Sequence, residues 1–348
     1  VTFLYKERRK DEEEEEGKEP EGLAPGGANL VNFVPLMNTH PRGSGVENIC
    51  FVNSVVQVML RSSAVREWVT GSDDQLERAG GFVVKSQLRR LVQAAQAEDG
   101  SRRNTRAIRD AVAEYACLRD ESGEVIAGNF ADYGQHCAIE FMDKMVELCG
   151  ESLGKLFRFQ RSELAQCGKR GCGAEPVERP TTTDTVWRLY LGKRRGKVTL
   201  ETLVTEDLSD SVMIRCSKCC DQAEYVVNGK GERVPNEGVK HTVRKGVSVG
   251  AEQRMLMLMV NPYVWRGGRS VKSSRKLSGL EAENVELAGK SWRVAAALEH
   301  QGPTQNSGHY VAYARFPNGW IRMSDEDCME MEELPVENLY GILLELKE

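Results

Sequence analysis

An α+β fold, with helices gathered ahead of strands, is what this chain predicts, and three observations carry the prediction. Apolar residues recur at helical spacing through roughly the first half; beyond Leu156 the texture changes to short β-like runs; and the two patterns follow one another instead of alternating, as they would around a parallel sheet. With 348 residues the chain is long enough to bury a substantial core.

The first helix is read from Cys50 onward, where Val52, Val55, Val56, Met59 and Leu60 place one apolar stripe along a helix with Cys50 in its first turn. The same spacing returns in Leu88, Leu91, Val92 and Ala95, in Ile108, Ala111, Val112 and Tyr115, and in Ala138, Met142, Met145, Val146 and Cys149. The β-like runs are Val186 to Leu191, Met255 to Val260, Trp292 to Leu298, Tyr310 to Arg315 and Tyr340 to Leu346, separated by Gly, Pro and charged loops. Residues 1–42 hold the acidic run Glu12 to Glu16 and then several Pro and Gly, with little periodic apolar content, so they are expected to be disordered and to precede the folded region 43–348.

Composition narrows the function. A net charge of −5 lacks the basic excess that a phosphate backbone demands, so nucleic acid is not an expected partner. No apolar stretch reaches the length of a membrane span, and no secretory core opens the chain. The ten cysteines are therefore read as thiols and metal ligands of a reducing cytoplasmic or nuclear compartment. Cys167 and Cys172, with four residues between them, and Cys216 and Cys219, with two between them, form two knuckles separated by 43 residues; four thiolates so arranged suit a structural, tetrahedral Zn²⁺ with no open catalytic position. Cys220 adjoins Cys219 as an alternative ligand, and free thiols are the plain alternative to a metal site.

Cys50 and His309 carry the chemistry. A thiol at a helix start is exposed to the helix dipole and to unpaired N–H groups, which lower its pKa, and a histidine can serve it as base and then protonate a leaving amine. Taken singly, Cys50 reads as a small buried hydrophobe and His309 as a hydrogen-bonded structural histidine. Their neighbours decide otherwise. Cys50-Phe51-Val52-Asn53-Ser54-Val55-Val56-Gln57, then Gln135-His136-Cys137-Ala138-Ile139-Glu140-Phe141, then His300-Gln301-Gly302, Ser307-Gly308-His309-Tyr310-Val311-Ala312-Tyr313 and Trp320-Ile321-Arg322-Met323-Ser324-Asp325 resemble, in order, the cysteine box, the Gln-Gln-Asp helix start and the histidine box of the ubiquitin-specific proteases.

The resemblance implies a papain-like cysteine protease with a helical thumb (about 43–152), zinc-tied β fingers (about 155–255) and a β palm (about 256–348), hydrolysing the isopeptide or peptide bond after the C-terminal glycine of ubiquitin. It implies Cys50 as nucleophile and His309 as general base and acid, with Gln135, Cys137, Glu140, His300 and Tyr310 along the substrate tail. Three positions depart from the family pattern. The orienting position carries Ser324, followed by Asp325, so Ser324 is expected to hold His309 with Asp325 as understudy. The family's oxyanion Asn, counted back without gaps, falls on Gly45; Asn48 is nominated instead, beside the backbone N–H of Cys50. Cys137 stands where the family has Asp, which removes a charge-assisted contact to a basic tail. These departures leave two alternatives: a catalytically weak or inactive scaffold that grips ubiquitin or a ligase complex, and a protease for another ubiquitin-like modifier.

Overall fold

A computed structural model describes residues 33–38, 47–73, 76–97, 101–119, 125–127, 130–132, 134–192, 194–220, 223–280, 284–304, 307–317 and 319–347. Among them, helices α1 (Cys50–Met59), α2 (Ser63–Thr70), α3 (Ala79–Ala97), α4 (Arg106–Ala116), α5 (Ala138–Cys149) and α6 (Glu151–Phe157) come first, and α7 (Leu200–Leu208) lies among the strands. None is long and apolar enough to cross a membrane.

The main sheet runs, from edge to edge, Asp327–Met331, Gly319–Ser324, Ser307–Phe316, Lys290–Thr304, Leu339–Leu346, Met255–Asn261 and Val186–Tyr190, with Val285–Leu287 also pairing with Lys290–Thr304. Its pairings are antiparallel except for Val186–Tyr190, which runs parallel to Met255–Asn261. The period of two sorts this sheet into two cores. Met255, Met257 and Met259 pack with α1, α3, α4, α5 and α6, while Leu256, Leu258 and Val260 face away, toward Trp187 and α7. Covered on both faces, the strand reads as the unbroken apolar run Met-Leu-Met-Leu-Met-Val.

A second sheet, ordered Val177–Asp184, Phe159–Cys167, Val239–Val249 and Ser209–Ile214, forms the fingers. The expected fingers segment 155–255 is therefore not continuous. Residues 186–190 belong to the main sheet and α7 packs in its outer core, because Trp187, Leu189, Leu200 and Leu203 are apolar enough to be held there.

Two further expectations are corrected. Residues 33–38, read as part of a disordered segment, are folded within the compact unit Val31–Glu348. Val34 and Leu36 are buried, Leu36 pairs with Arg103, and the Leu36 N–H donates to the carbonyl of Asp325 (3.0 Å). The remainder of 1–42, and Gly45, lie outside the described residues. Nor is α1 an amphipathic helix with a single stripe: all ten of its residues are buried. Its polar side chains need internal partners, and the strap 33–38 supplies several. Gln57 Nε2 donates to the Val34 carbonyl (2.7 Å) and Asn53 Nδ2 to the carbonyls of Leu36 (3.4 Å) and Met37 (3.2 Å).

If the strap is part of the core, Leu36→Ala should cost about 2–5 kcal/mol, the usual range for a fully buried leucine, read as a lowered denaturation midpoint with an unchanged slope. A midpoint equal to that of the parent would remove the strap from the folded unit.

Candidate active site

The site forms where α1 crosses the strand Ser307–Phe316. Cys50 is the first helical residue, after Ile49 at the cap and Asn48 in a left-handed conformation (φ 56°) that Asn tolerates better than most residues. Glu47, just before it, is buried and paired with Arg106 (2.6 Å) and Arg109 (3.0 Å) of α4, which anchors the approach to the helix. The strand Ser307–Phe316 pairs with Lys290–Thr304 so that His309 faces Gln301 and Tyr310 faces His300.

The crossing sets the Cys50 sulfur against the residue that follows His309: the main-chain N–H of Tyr310 is directed at it, as are those of Phe51 and Cys50. These N–H groups draw the thiol pKa down, as a helix start should. Burial is the larger effect, however, and with a smaller contribution from the Asp325 charge it pushes Cys50 up to about 12. The expected depression is thus overruled by desolvation, and the free site holds a thiol until a base takes its proton.

His309 is oriented from its far side. Its Nε2 lies 2.9 Å from Ser324 Oγ, within hydrogen-bond range, and 3.9 Å from Asp325 Oδ2. With Nε2–H donating to the hydroxyl, Nδ1 is the nitrogen left to serve the sulfur. Asp325, at a left-handed position (φ 51°), is engaged elsewhere: Oδ1 accepts from Asn53 Nδ2 and Oδ2 from Asn38 Nδ2, both at 2.8 Å. Ser324 therefore makes the direct bond, and Asp325 contributes charge at a short remove.

Asn38 is a residue the sequence reading passed over. Its Oδ1 accepts from the Ile49 N–H (2.8 Å), its Nδ2 donates to Asp325, and its carbonyl accepts from the Glu47 N–H (3.0 Å), so one side chain spans from the cap of α1 to the turn after Ser324. The signal was present: Leu36-Met37-Asn38 repeats the Leu-x-Asn order of the family motif, set back by the segment 39–46. Asn48, nominated for that role, has an exposed side chain.

The residues expected along a substrate tail are brought together, but largely by bonding one another. Gln135 Nε2 donates to His300 Nε2 (3.1 Å), Cys137 Sγ meets Tyr340 Oη (3.0 Å), and the His300 ring lies 4.6 Å from that of Tyr310. Of the residues expected along the tail, His300 and Tyr310 are buried, and Glu140, in the first turn of α5, is exposed. Burial holds the Cys137 thiol above the usual range.

At the fingers, Cys167, Cys172, Cys216 and Cys219 place their sulfurs within 4.8 Å of one another, with Cys167 to Cys219 at 3.7 Å and Cys172 to Cys216 at 3.6 Å. A tetrahedron with metal–sulfur bonds of about 2.3 Å has edges of about 3.8 Å, so the four thiols fit a metal. The thiols share their ionisation: the Lys218 N–H draws Cys216 down to about 6, while burial and the neighbouring thiols push Cys219 up.

A buried thiol at the head of a helix, against the strand that carries a histidine bonded to a hydroxyl, is the layout of a cysteine hydrolase of papain-like construction. The chain belongs to the family described as ubiquitin carboxyl-terminal hydrolase, whose model matches residues 44–344. It is similar to a probable ubiquitin carboxyl-terminal hydrolase 16 of Schizosaccharomyces pombe, 22% identical over 317 residues, covering 83% of this chain and 63% of the relative. It is also similar to ubiquitin carboxyl-terminal hydrolase 4 of Arabidopsis thaliana, 27% identical over 139 residues, covering 39% of this chain and 34% of the relative. The chain thus spans less than two thirds of either. Among solved structures, the SAGA DUB module of Ubp8, Sgf11, Sus1 and Sgf73 bound to monoubiquitin shares the fold, with a TM-score of 0.62 and 12% identity over 91% of this chain and 69% of that one.

A thiol at about 12 is ionised to only about one part in 10⁵ at pH 7, so Cys50 reactivity there must depend on His309. Iodoacetamide should alkylate Cys50 near neutral pH in the parent, whereas His309→Ala should require strongly alkaline solution. Ser324→Ala should slow turnover roughly tenfold, the usual worth of one neutral hydrogen bond; identical alkylation profiles for all three proteins would separate His309 from the thiol.

Proposed function

We propose that this chain is a thiol-dependent deubiquitinase, cleaving the isopeptide or peptide bond after the C-terminal glycine of ubiquitin. The observation that carries the reading is the placement of the Cys50 sulfur on the Tyr310 N–H while His309, the residue before, has its Nε2 2.9 Å from Ser324. Family membership supports ubiquitin as the modifier, and the solved structural neighbour is itself bound to monoubiquitin.

In the proposed reaction, His309 Nδ1 takes the Cys50 proton and the thiolate adds to the glycine carbonyl. The oxyanion then draws on the Cys50 N–H and an Asn38 amide N–H, and His309 gives its proton to the leaving amine as the C–N bond breaks. Water, deprotonated by the same imidazole, hydrolyses the thioester and returns the thiol. Ser324 keeps the ring oriented, and the Asp325 carboxylate favours the imidazolium on which both halves depend. A bound zinc would close the fingers by tying Cys167 and Cys172 to Cys216 and Cys219, with no role in bond cleavage. Such thiols suit the reducing cytoplasm or nucleus.

A ubiquitin probe ending in an electrophile should label the parent on Cys50 and leave Cys50→Ala unlabelled, and Asn38→Ala should reduce turnover by about 10²- to 10³-fold, as loss of an oxyanion donor does. Failure of ubiquitin to label where another ubiquitin-like probe succeeds would reassign the modifier; failure of all probes with an alkylatable Cys50 would leave a scaffold. For the fingers, stoichiometric zinc should be released by a thiol-blocking mercurial, and Cys216→Ser should lower the melting temperature while leaving Cys50 alkylation as it was.

A further inference from the structure

Behind the catalytic histidine lies a second one that the proposed reaction does not use. His300 is fully buried in the strand Lys290–Thr304, and both of its ring nitrogens are committed. Nε2 accepts from Gln135 Nε2 (3.1 Å), on the segment leading into α5; Nδ1 lies 2.7 Å from the hydroxyl of Tyr263, which itself donates to the Thr304 carbonyl (3.1 Å). Because that hydroxyl spends its proton on Thr304, Nδ1 must be the donor and Nε2 the acceptor, a single neutral tautomer. Burial first, then the Lys272 charge and more weakly His309, outweigh the pull of Glu299 and hold the ring down to about 4. The rings of Tyr310 and Tyr340 lie 4.6 and 6.0 Å from the imidazole, and Tyr340 Oη in turn meets the Cys137 thiol.

The ring also touches the catalytic strand directly. A Cβ added at Gly308, the residue before His309, would stand 2.9 Å from His300 Nε2 and 2.6 Å from the Gln301 carbonyl, and φ there is 151°. Only glycine allows the strand to lie this close to the imidazole. On the other side of His309, the Tyr310 ring packs on His300 at 4.6 Å, and the Tyr310 N–H is the group that meets the Cys50 sulfur. His300 thus contacts both residues that flank His309.

We propose that His300 is a positioning residue for His309: held from the helical side by Gln135 and from the neighbouring hairpin by Tyr263, it braces Gly308 and Tyr310 and so fixes the catalytic imidazole against Cys50. Its effect on catalysis rests on the hydrolase reading above, but its effect on the thiol does not. The brace is part of the resting protein, so it is read in Cys50 alkylation without any macromolecular substrate.

The test compares His300→Phe, which keeps an aromatic ring without either hydrogen bond, with Gln135→Ala and Tyr263→Phe, which each remove one partner, and with His300→Gln, which restores an acceptor toward Gln135. The measurements are the pH profile of Cys50 alkylation by iodoacetamide, the kcat and KM for a ubiquitin C-terminal fluorogenic substrate, and the melting temperature. The brace requires the neutral-pH limb of alkylation to move upward in all three disruptive variants. kcat should fall roughly 10- to 100-fold in His300→Phe, as for a small misplacement of a catalytic group, and less in the two partner variants; His300→Gln should recover part of the loss. If His300→Phe fails to fold, the two partner variants decide. Parental alkylation profiles with only a raised KM would make these residues substrate contacts, and parental profiles with only a lowered melting temperature would make them structural; either result overturns the brace. An absence of turnover on every ubiquitin-like substrate would instead refute the deubiquitinase reading while the alkylation profiles still judged His300.

Discussion

The complete burial of α1 is the constraint on which the rest of the site depends. Lodged between the main sheet and the other thumb helices, it carries its sulfur out of water and against the strand that bears His309. Desolvation then works against ionisation, and three main-chain N–H groups recover only part of the loss. In the proposed reaction, a reactive thiol in this position is a property of the Cys50–His309 pair. The same burial obliges Asn53, Ser54 and Gln57 to find partners inside the protein, which draws the strap 33–38 across the helix and delivers Asn38 to its cap.

The work usually given to one carboxylate beside a catalytic histidine is divided here between neighbours. Ser324 supplies direction through a neutral hydrogen bond worth about 1 kcal/mol. Asp325, 3.9 Å from His309 Nε2, adds a negative charge beside the ring without bonding it directly. That charge also disfavours the Cys50 thiolate, so it aids one member of the ion pair and opposes the other. Amides of Asn38 and Asn53 hold both carboxylate oxygens, which keeps Asp325 from swinging into the place of Ser324.

Much of this was legible in the chain. Helical spacing found α1, α3, α4 and α5, and the apolar runs found the central strands, because both periods report a buried face. The histidine box held both His309 and Ser324, which the fold bonds to one another, and the two knuckles held the four clustered cysteines. What escaped reading depended on contacts distant in sequence. The strap is apolar but only six residues long, too short to show a helical or strand period, and the main-chain carbonyls that receive the amides of Asn53 and Gln57 leave no mark in the sequence. Val186–Tyr190 looked like part of the fingers because strand order is invisible to local pattern. Helix position alone favoured a depressed Cys50 pKa; the depth of burial that reverses it is a tertiary property.

The hydrogen bond from the Glu47 N–H to the Asn38 carbonyl has a consequence for variation. It fixes the separation of Asn38 and Glu47, with Asn38 secured to the cap of α1 and Glu47 secured to two arginines. Because lengthening a closed loop adds free energy only logarithmically, extra residues inserted between the clamped ends would burden folding slightly and leave the nucleophile where it is. Evolution, or a protein engineer wanting a tether beside the catalytic cleft, has at this point a place where chain length is decoupled from chemistry.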